Sequence, residues 1–88
     1  MFHKFKVGAK YYELDSLVAL FAVIESRDAN TVTVTIYNER DENKKVAKAT
    51  VPVKNSWIDG YEWFVVNVYT SDTVFTAQYP NGDFDDAD

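Results

Sequence analysis

Few side chains in this sequence are suited to catalysis. The chain has one histidine, His3, and no cysteine, so a Ser-His-Asp or Cys-His arrangement has little to build on. Paired carboxylates can perform acid–base chemistry, but every Asp and Glu here also fits a turn or a solvated face. The sequence therefore predicts that the protein is not an enzyme and has no catalytic residues.

Metal and cofactor sites are not predicted either. Four acids lie close together near the C-terminal end: Asp83, Asp85, Asp86 and Asp88. Their spacing lacks the glycine and the bidentate glutamate of an EF-hand loop, so they predict an acidic, mobile tail over residues 81–88. The three glycines form neither a P-loop nor a dinucleotide-binding G-x-G-x-x-G motif.

The side chains best suited to binding lie in and just after residues 57–69, which read W-I-D-G-Y-E-W-F-V-V-N-V-Y. This stretch holds both tryptophans and follows the last basic residue, Lys54. Tryptophan and tyrosine are favoured anchors of protein interfaces, and acids match a basic partner. The predicted partner-binding residues are seven aromatic or acidic side chains: Trp57, Asp59, Tyr61, Glu62, Trp63, Tyr69 and Asp72.

Charge is distributed unevenly along the chain. Residues 1–54 carry nine basic and seven acidic side chains, a net +2, whereas residues 55–88 carry seven acids and no base, a net −7. Binding to phosphates needs a clustered basic surface, so direct contact with nucleic acid is not favoured. We expect an acidic interaction module that mimics DNA and occupies the basic, nucleic-acid-binding surface of a protein partner.

A second hypothesis is that single-stranded nucleic acid stacks on the aromatic side chains of a small barrel. The stacking platform would comprise four aromatic residues: Tyr11, Tyr12, Tyr37 and Trp63. Nearby lysines would contact phosphates: Lys4, Lys6, Lys10, Lys48 and Lys54. The simpler alternative to both hypotheses is that the aromatic residues form the core and the acids keep the protein soluble.

Period-two alternation predicts antiparallel strands in the first two thirds of the chain. Residues 31–37 alternate threonine with valine or isoleucine, a charged hairpin tip follows over 39–45, and a return strand covers 46–54. Pro52 cannot donate a backbone hydrogen bond, so the return strand is predicted at an edge, which leaves dimerisation by edge pairing open. The apolar stretch before them favours a strand, with a short helix over 16–24 as the alternative.

Asp59-Gly60 predicts a two-residue type I′ hairpin turn. Three pairs would then face each other: Ile58 with Tyr61, Trp57 with Glu62, and Ser56 with Trp63. The strand over 62–69 would place Phe64, Val66 and Val68 on one face. Its opposite face is also largely apolar, so the strand is either covered on both sides or exposes an apolar patch.

These elements predict one all-β domain over residues 1–80, an SH3-like barrel or strongly bent antiparallel sheet of five to six strands. The absence of cysteine fits a reducing compartment. The longest apolar run, residues 17–24, is far shorter than the roughly 20 residues that cross a bilayer as a helix. We therefore expect a soluble, cytoplasmic protein.

Two segments, F-K-V-G-A-K-Y-Y at 5–12 and F-A-V-I-E-S-R-D-A-N-T-V-T-V from 21, resemble short SH3-like β-barrel proteins of bacterial phages and conjugative elements. Those proteins read F-x-V-G-x-x-Y, followed by a V-I-x-R-T-x-x-T-V hairpin; this chain departs by inserting Ser26 and by its acidic tail. The resemblance implies a fold and a mobile-element setting but no functional residue. It suggests an inhibitor of a host defence complex, as anti-CRISPR proteins are, or a structural phage component.

Overall fold

Seven β-strands form the regular structure of the protein, seen in a computed structural model that describes residues 4–13, 19–55 and 60–78. In chain order they are β1 Lys10–Tyr12, β2 Leu20–Arg27, β3 Thr31–Asn38, β4 Lys44–Pro52, β5 Lys54–Asn55, β6 Glu62–Val68 and β7 Ser71–Thr76. One turn of 3-10 helix, Glu39–Asp41, links β3 to β4 within the predicted charged hairpin tip. The all-β prediction is confirmed, with seven strands instead of five or six. The predicted acidic tail, 81–88, lies outside the described residues.

The strands form two antiparallel sheets, β1-β2-β3-β4 and β5-β6-β7, and in the described part of the chain they do not close into a barrel. Only Val53 separates β4 from β5, so one extended stretch of chain pairs first with β3 and then with β6. The Val53 N–H donates to the Asn30 carbonyl at 2.8 Å, which fixes this crossing point. Pro52 ends β4 on the edge of its sheet, where a residue without an N–H is tolerated, as the sequence predicted.

The stretch that could have been helix or strand is a strand from Leu20 onward. β2 pairs with β1 on one side and β3 on the other, and a bulge between Ile24 and Ser26 shifts its register by one residue. Pairing on both sides satisfies the backbone of β2, so the helical spacing of its apolar residues does not decide its structure. The first part of the alternative helix, 16–18, lies outside the described residues.

The core lies between the two sheets. From β3, Val32, Val34 and Ile36 are fully buried, and β6 contributes Phe64, Val66 and Val68 as its alternation predicted. Phe5 joins them, with its ring centroid 4.8 Å from that of Phe64. The cores of small domains depend on such large side chains, because a short chain buries a smaller share of its surface.

The turn between β2 and β3 is held by Asp28. Its Oδ1 accepts hydrogen bonds from the backbone N–H groups of Asn30 at 3.2 Å and Thr31 at 2.9 Å, and from the Thr31 hydroxyl at 2.8 Å. The side-chain hydrogen bond from Thr31, aided by the two backbone donors, lowers the pKa of the Asp28 carboxyl. The ionised form of Asp28 is therefore the one that closes this hairpin.

The predicted Asp59-Gly60 hairpin register is wrong by two residues. Glu62 pairs with Asn55 and Trp63 pairs with Lys54, instead of Trp57 and Ser56. β6 is fixed by six residue pairs with β7, so this longer pairing overrides the local turn signal. The connection between β5 and β6 covers residues 56–61, of which 56–59 lie outside the described residues.

Candidate partner-binding surface

The outer face of the three-stranded sheet carries Val74, the one large hydrophobic residue within a described strand that is exposed. The register aligns Lys54 with Trp63 and Thr76, Val65 with Val74, and Asn67 with Asp72. We call this set the β5–β7 face: Lys54, Trp63, Val65, Asn67, Asp72, Val74 and Thr76. Because side chains alternate along a strand, none of these residues belongs to the core-facing set of the same strands.

The centre of the β5–β7 face is apolar. Trp63 and Val65 are half-buried, and Val74 is 47% exposed. The Lys54 Nζ lies 5.2 Å from the centroid of the Trp63 ring, within the range of a cation–π contact. β6 therefore has two apolar faces, of which the inner one is core and the outer one meets solvent over part of its area.

The other end of the β5–β7 face is polar. The Asn67 amide donates to the Asp72 carboxylate at 3.2 Å, and both side chains are exposed. Tyr69, also 55% exposed, lies in the adjoining turn, where its hydroxyl accepts a hydrogen bond from the Asn38 amide at 3.2 Å. The face thus combines an aromatic centre with a polar, partly acidic end.

Tyr69 and Thr70 form the two-residue hairpin turn between β6 and β7. Val68 pairs with Ser71, and the two central residues have φ of 53° and 65°. A type I′ turn requires positive φ at both central positions, a conformation that glycine and asparagine adopt far more readily than tyrosine or threonine. The sequence predicts the turn at Thr70-Ser71-Asp72, one residue later than the structure has it, because neither Tyr69 nor Thr70 is a typical turn former.

Glu62 lies on the inner face of β6, not on the β5–β7 face. Its carboxylate accepts two hydrogen bonds from the Arg27 guanidinium, at 2.8 and 3.1 Å, and one from the Phe5 N–H at 2.7 Å. The Glu62 side chain is 4% exposed and that of Arg27 18%. The hydrogen bond to Glu62 raises the pKa of Arg27 further. The two side chains form an ion pair inside the fold.

One feature of the sequence indicates that Glu62 is buried and needs a partner. Glu62 is in phase with Phe64, Val66 and Val68, so the alternation that predicted a core face also assigned an acid to it. A buried carboxylate needs a cation, but nothing in the sequence showed that Arg27 was the partner. The Arg27 Nη1 also donates to the Phe5 carbonyl at 3.0 Å, which ties the N-terminal segment to both sheets.

The predicted binding residues are only partly brought together. Trp63 and Asp72 lie on the β5–β7 face, and Tyr69 lies in the turn at its polar end. Tyr61 is half-buried just before β6. Trp57 and Asp59 lie outside the described residues. The candidate surface therefore brings together three of the five predicted residues that the structure describes, and it adds Val74, which the sequence did not single out.

The four aromatic residues of the nucleic-acid hypothesis do not share one platform. Tyr11 is in the core, where burial raises the pKa of its hydroxyl and that hydroxyl accepts a hydrogen bond from the Lys6 N–H at 2.9 Å. Tyr12 and Tyr37 lie on the outer face of the four-stranded sheet, whereas Trp63 lies on the β5–β7 face. The platform as predicted is wrong, because Tyr11 is buried in the core and Trp63 lies on a different sheet face from Tyr12 and Tyr37.

A shallow cavity of about 260 Å³ opens between the polar end of the β5–β7 face and the start of β2. Its lining comprises Glu13, Leu20, Val68, Tyr69, Ser71, Asp72 and Thr73. Two carboxylates border it, but among the described residues no group of three or more His, Cys, Asp or Glu could hold a metal ion. The cavity is thus a recess beside the candidate surface.

Comparisons with known proteins gave no match to a family model, a curated protein or a solved structure. Within 4–13, 19–55 and 60–78, no helix is long and apolar enough to cross a membrane.

Proposed function

We propose that the protein is a non-enzymatic interaction module that binds a protein partner through the β5–β7 face. The observation that supports this most directly is the apolar centre formed by Trp63, Val65 and Val74 on the outside of a sheet whose inner face already forms the core. Aromatic anchors are typical of interface hot spots, and an exposed apolar patch with a polar rim marks an interaction site. Lys54 and Asp72 provide polar groups at opposite ends.

The proposed partner surface is basic. Residues 55–88 carry a net charge of −7, and the exposed Asp72 lies on the face itself. Glu62 is not part of the proposed contact, because Arg27 neutralises it in the interior. Asp59 lies outside the described residues, and its contact with a basic partner stays a prediction. Electrostatic complementarity of this kind contributes to association rate and specificity more than to affinity.

The sequence resemblance alone suggests the phage or mobile-element setting. In that setting we propose a cytoplasmic inhibitor, similar to an anti-CRISPR or DNA-mimic protein, that occupies the nucleic-acid-binding surface of a host complex. A closed SH3-like barrel belongs to the same proposal. In support, two twisted antiparallel sheets share the continuous β4–β5 stretch, an arrangement compatible with a strongly bent sheet.

The test compares the same substitution on two exposed valines. Tagged wild-type protein, Val74→Glu and Val7→Glu are used to capture partners from a lysate of the source organism, with quantitative mass spectrometry. Val7 is 58% exposed and lies before β1, away from the β5–β7 face. We expect a partner captured by wild type and Val7→Glu and lost with Val74→Glu, since a central hot spot contributes about 2 kcal/mol or more, roughly 30-fold in affinity.

Identical capture by all three proteins would show that the β5–β7 face is not the binding surface. A second experiment tests whether the partner surface is basic. We expect Asp72→Lys to weaken binding to the purified partner, and we expect added duplex DNA to compete with the protein for that partner. If neither change weakens binding, the partner surface is not basic and only the apolar contact remains.

A further inference from the structure

We propose a second binding surface, on the outer face of the four-stranded sheet, that takes single-stranded nucleic acid by base stacking and phosphate contact. The strand register aligns Tyr12, Phe21 and Tyr37 in one row across β1, β2 and β3. We call these three residues the aromatic row. Lys45 of β4 continues the row beside Tyr37, and Lys48 lies beside Thr35 in the next row.

The rings of the aromatic row contact each other. Phe21 stacks on Tyr37, with centroids 5.3 Å apart and ring planes 23° from parallel, and lies 5.4 Å from Tyr12. The Lys10 Nζ lies 4.9 Å from the Phe21 centroid and 5.9 Å from that of Tyr12. Phe21 is 6% exposed, yet it is not among the residues of the core cluster. It supports two half-exposed tyrosines, whose rings are available to unpaired bases.

Basic residues border the aromatic row. Lys45 and Lys48 are exposed, and neither forms a salt bridge within the described part of the chain. Among the strand residues of this sheet the one acid is Glu25, in the β2 bulge two residues beyond Val23. Three more acids, Glu39, Asp41 and Glu42, lie in the turn that joins β3 to β4. Residues 1–54 carry a net charge of +2, so this sheet belongs to the basic part of the chain, whereas residues 55–88 carry −7. Lysines at such spacing attract a phosphate backbone.

Single strands fit this face better than duplexes do. Stacking on exposed tyrosines requires bases that are not already stacked and paired, and RNA and DNA single strands both supply them. The β5–β7 face, by contrast, has one lysine and one aspartate and no second aromatic residue beside Trp63. The two outer faces thus differ in charge and in aromatic content, and this inference stands independently of the proposed protein partner.

The test measures fluorescence anisotropy of labelled oligothymidylate and oligouridylate with wild type and two charge-reversed variants. Lys45→Glu/Lys48→Glu changes the proposed face. Lys6→Glu/Lys44→Glu makes the same change in charge elsewhere, because Lys44 is opposite Asn38 and the exposed Lys6 lies before β1. We expect the first variant to lose at least about tenfold in affinity and to reduce the salt slope by about 1.4, at roughly 0.7 per lost phosphate contact. The control should keep most of the affinity.

Stacking is tested separately with Tyr37→Leu, which keeps an apolar cover over Phe21. It should weaken binding by about fivefold or more while leaving the salt slope unchanged. Tighter binding of the uridylate strand would indicate an RNA ligand, and tighter binding of the thymidylate strand a DNA ligand. A flat titration to about 100 µM at low salt would overturn the proposal. Equal losses in both double variants, or equal affinity for duplex DNA, would overturn it as well.

Discussion

Replacing Arg27 by methionine is expected to destabilise the protein more than a typical surface substitution does. The change keeps the apolar stem and removes the guanidinium, so the Glu62 carboxylate loses its hydrogen bonds of 2.8 and 3.1 Å and keeps only the Phe5 N–H. Breaking a buried ion pair costs roughly 3–5 kcal/mol. Because the Arg27 side chain is 18% exposed, water reaches part of the site and we expect a loss near the lower end, about 3 kcal/mol.

A double-mutant cycle separates the ion pair from the loss of either side chain alone. Glu62→Gln keeps an oxygen for the Phe5 N–H and removes the charge, so we expect a loss of about 1.5–3 kcal/mol. The Arg27→Met/Glu62→Gln protein no longer holds an unpaired charge. The free energy of unfolding that the double variant loses should be smaller than the sum of the two single losses by at least about 1 kcal/mol.

The measurement is urea unfolding followed by tryptophan fluorescence and extrapolated linearly to zero denaturant. Arg40→Met serves as the control, since Arg40 is exposed on the 3-10 turn and should change stability by no more than about 0.5 kcal/mol. Two results would refute the reasoning. One is an Arg27→Met protein as stable as the control, and the other is additive losses in the double variant.

Two further predictions concern turns. Hydrogen bonds place the pKa of Asp28 below its unfolded value, so its stabilisation is present above the unfolded pKa and is lost as pH falls through the folded one. Asp28→Asn should therefore flatten the acid side of a plot of urea midpoint against pH, and an unchanged plot would contradict this. Thr70→Gly should raise the free energy of unfolding by about 1 kcal/mol, because residue 70 has a φ of 65°. The same change at Thr50, in extended β4, should lower the free energy of unfolding in the same urea assay. A lower free energy of unfolding in both glycine variants would contradict the inference that the turn is strained.

Local patterns predicted the strands and their faces well. The alternation of residues 31–37 identified β3 and its buried valines, and the phase of β6 identified Phe64, Val66 and Val68 as core. Such patterns depend on neighbours within one strand, where the sequence contains the whole signal. They also predicted an apolar outer face on β6, although not that Val74 would extend it.

What the sequence could not supply depends on pairing between distant segments. The Arg27–Glu62 contact joins residues 35 positions apart, and the β5–β6 register depends on where β4 crosses between the sheets. The hairpin prediction is wrong for this reason, because Asp59-Gly60 is a local turn signal whereas the crossing of β4 depends on its pairing with β3. The sequence placed Tyr12 and Tyr37 on one platform but did not include Phe21 between them, because the three residues come from strands whose order was unknown.

The order of the two sheets along the chain affects how the protein folds while it is being synthesised on the ribosome. β1 to β4 are contiguous, so the four-stranded sheet can pair while residues 62–76 are still being made. Until then the inner face of that sheet, with Val32, Val34 and Ile36, has no Phe64 or Phe75 to cover it. The nascent chain thus passes through a stage with an uncovered apolar sheet, which is the stage at which chaperone contact or aggregation competes with folding.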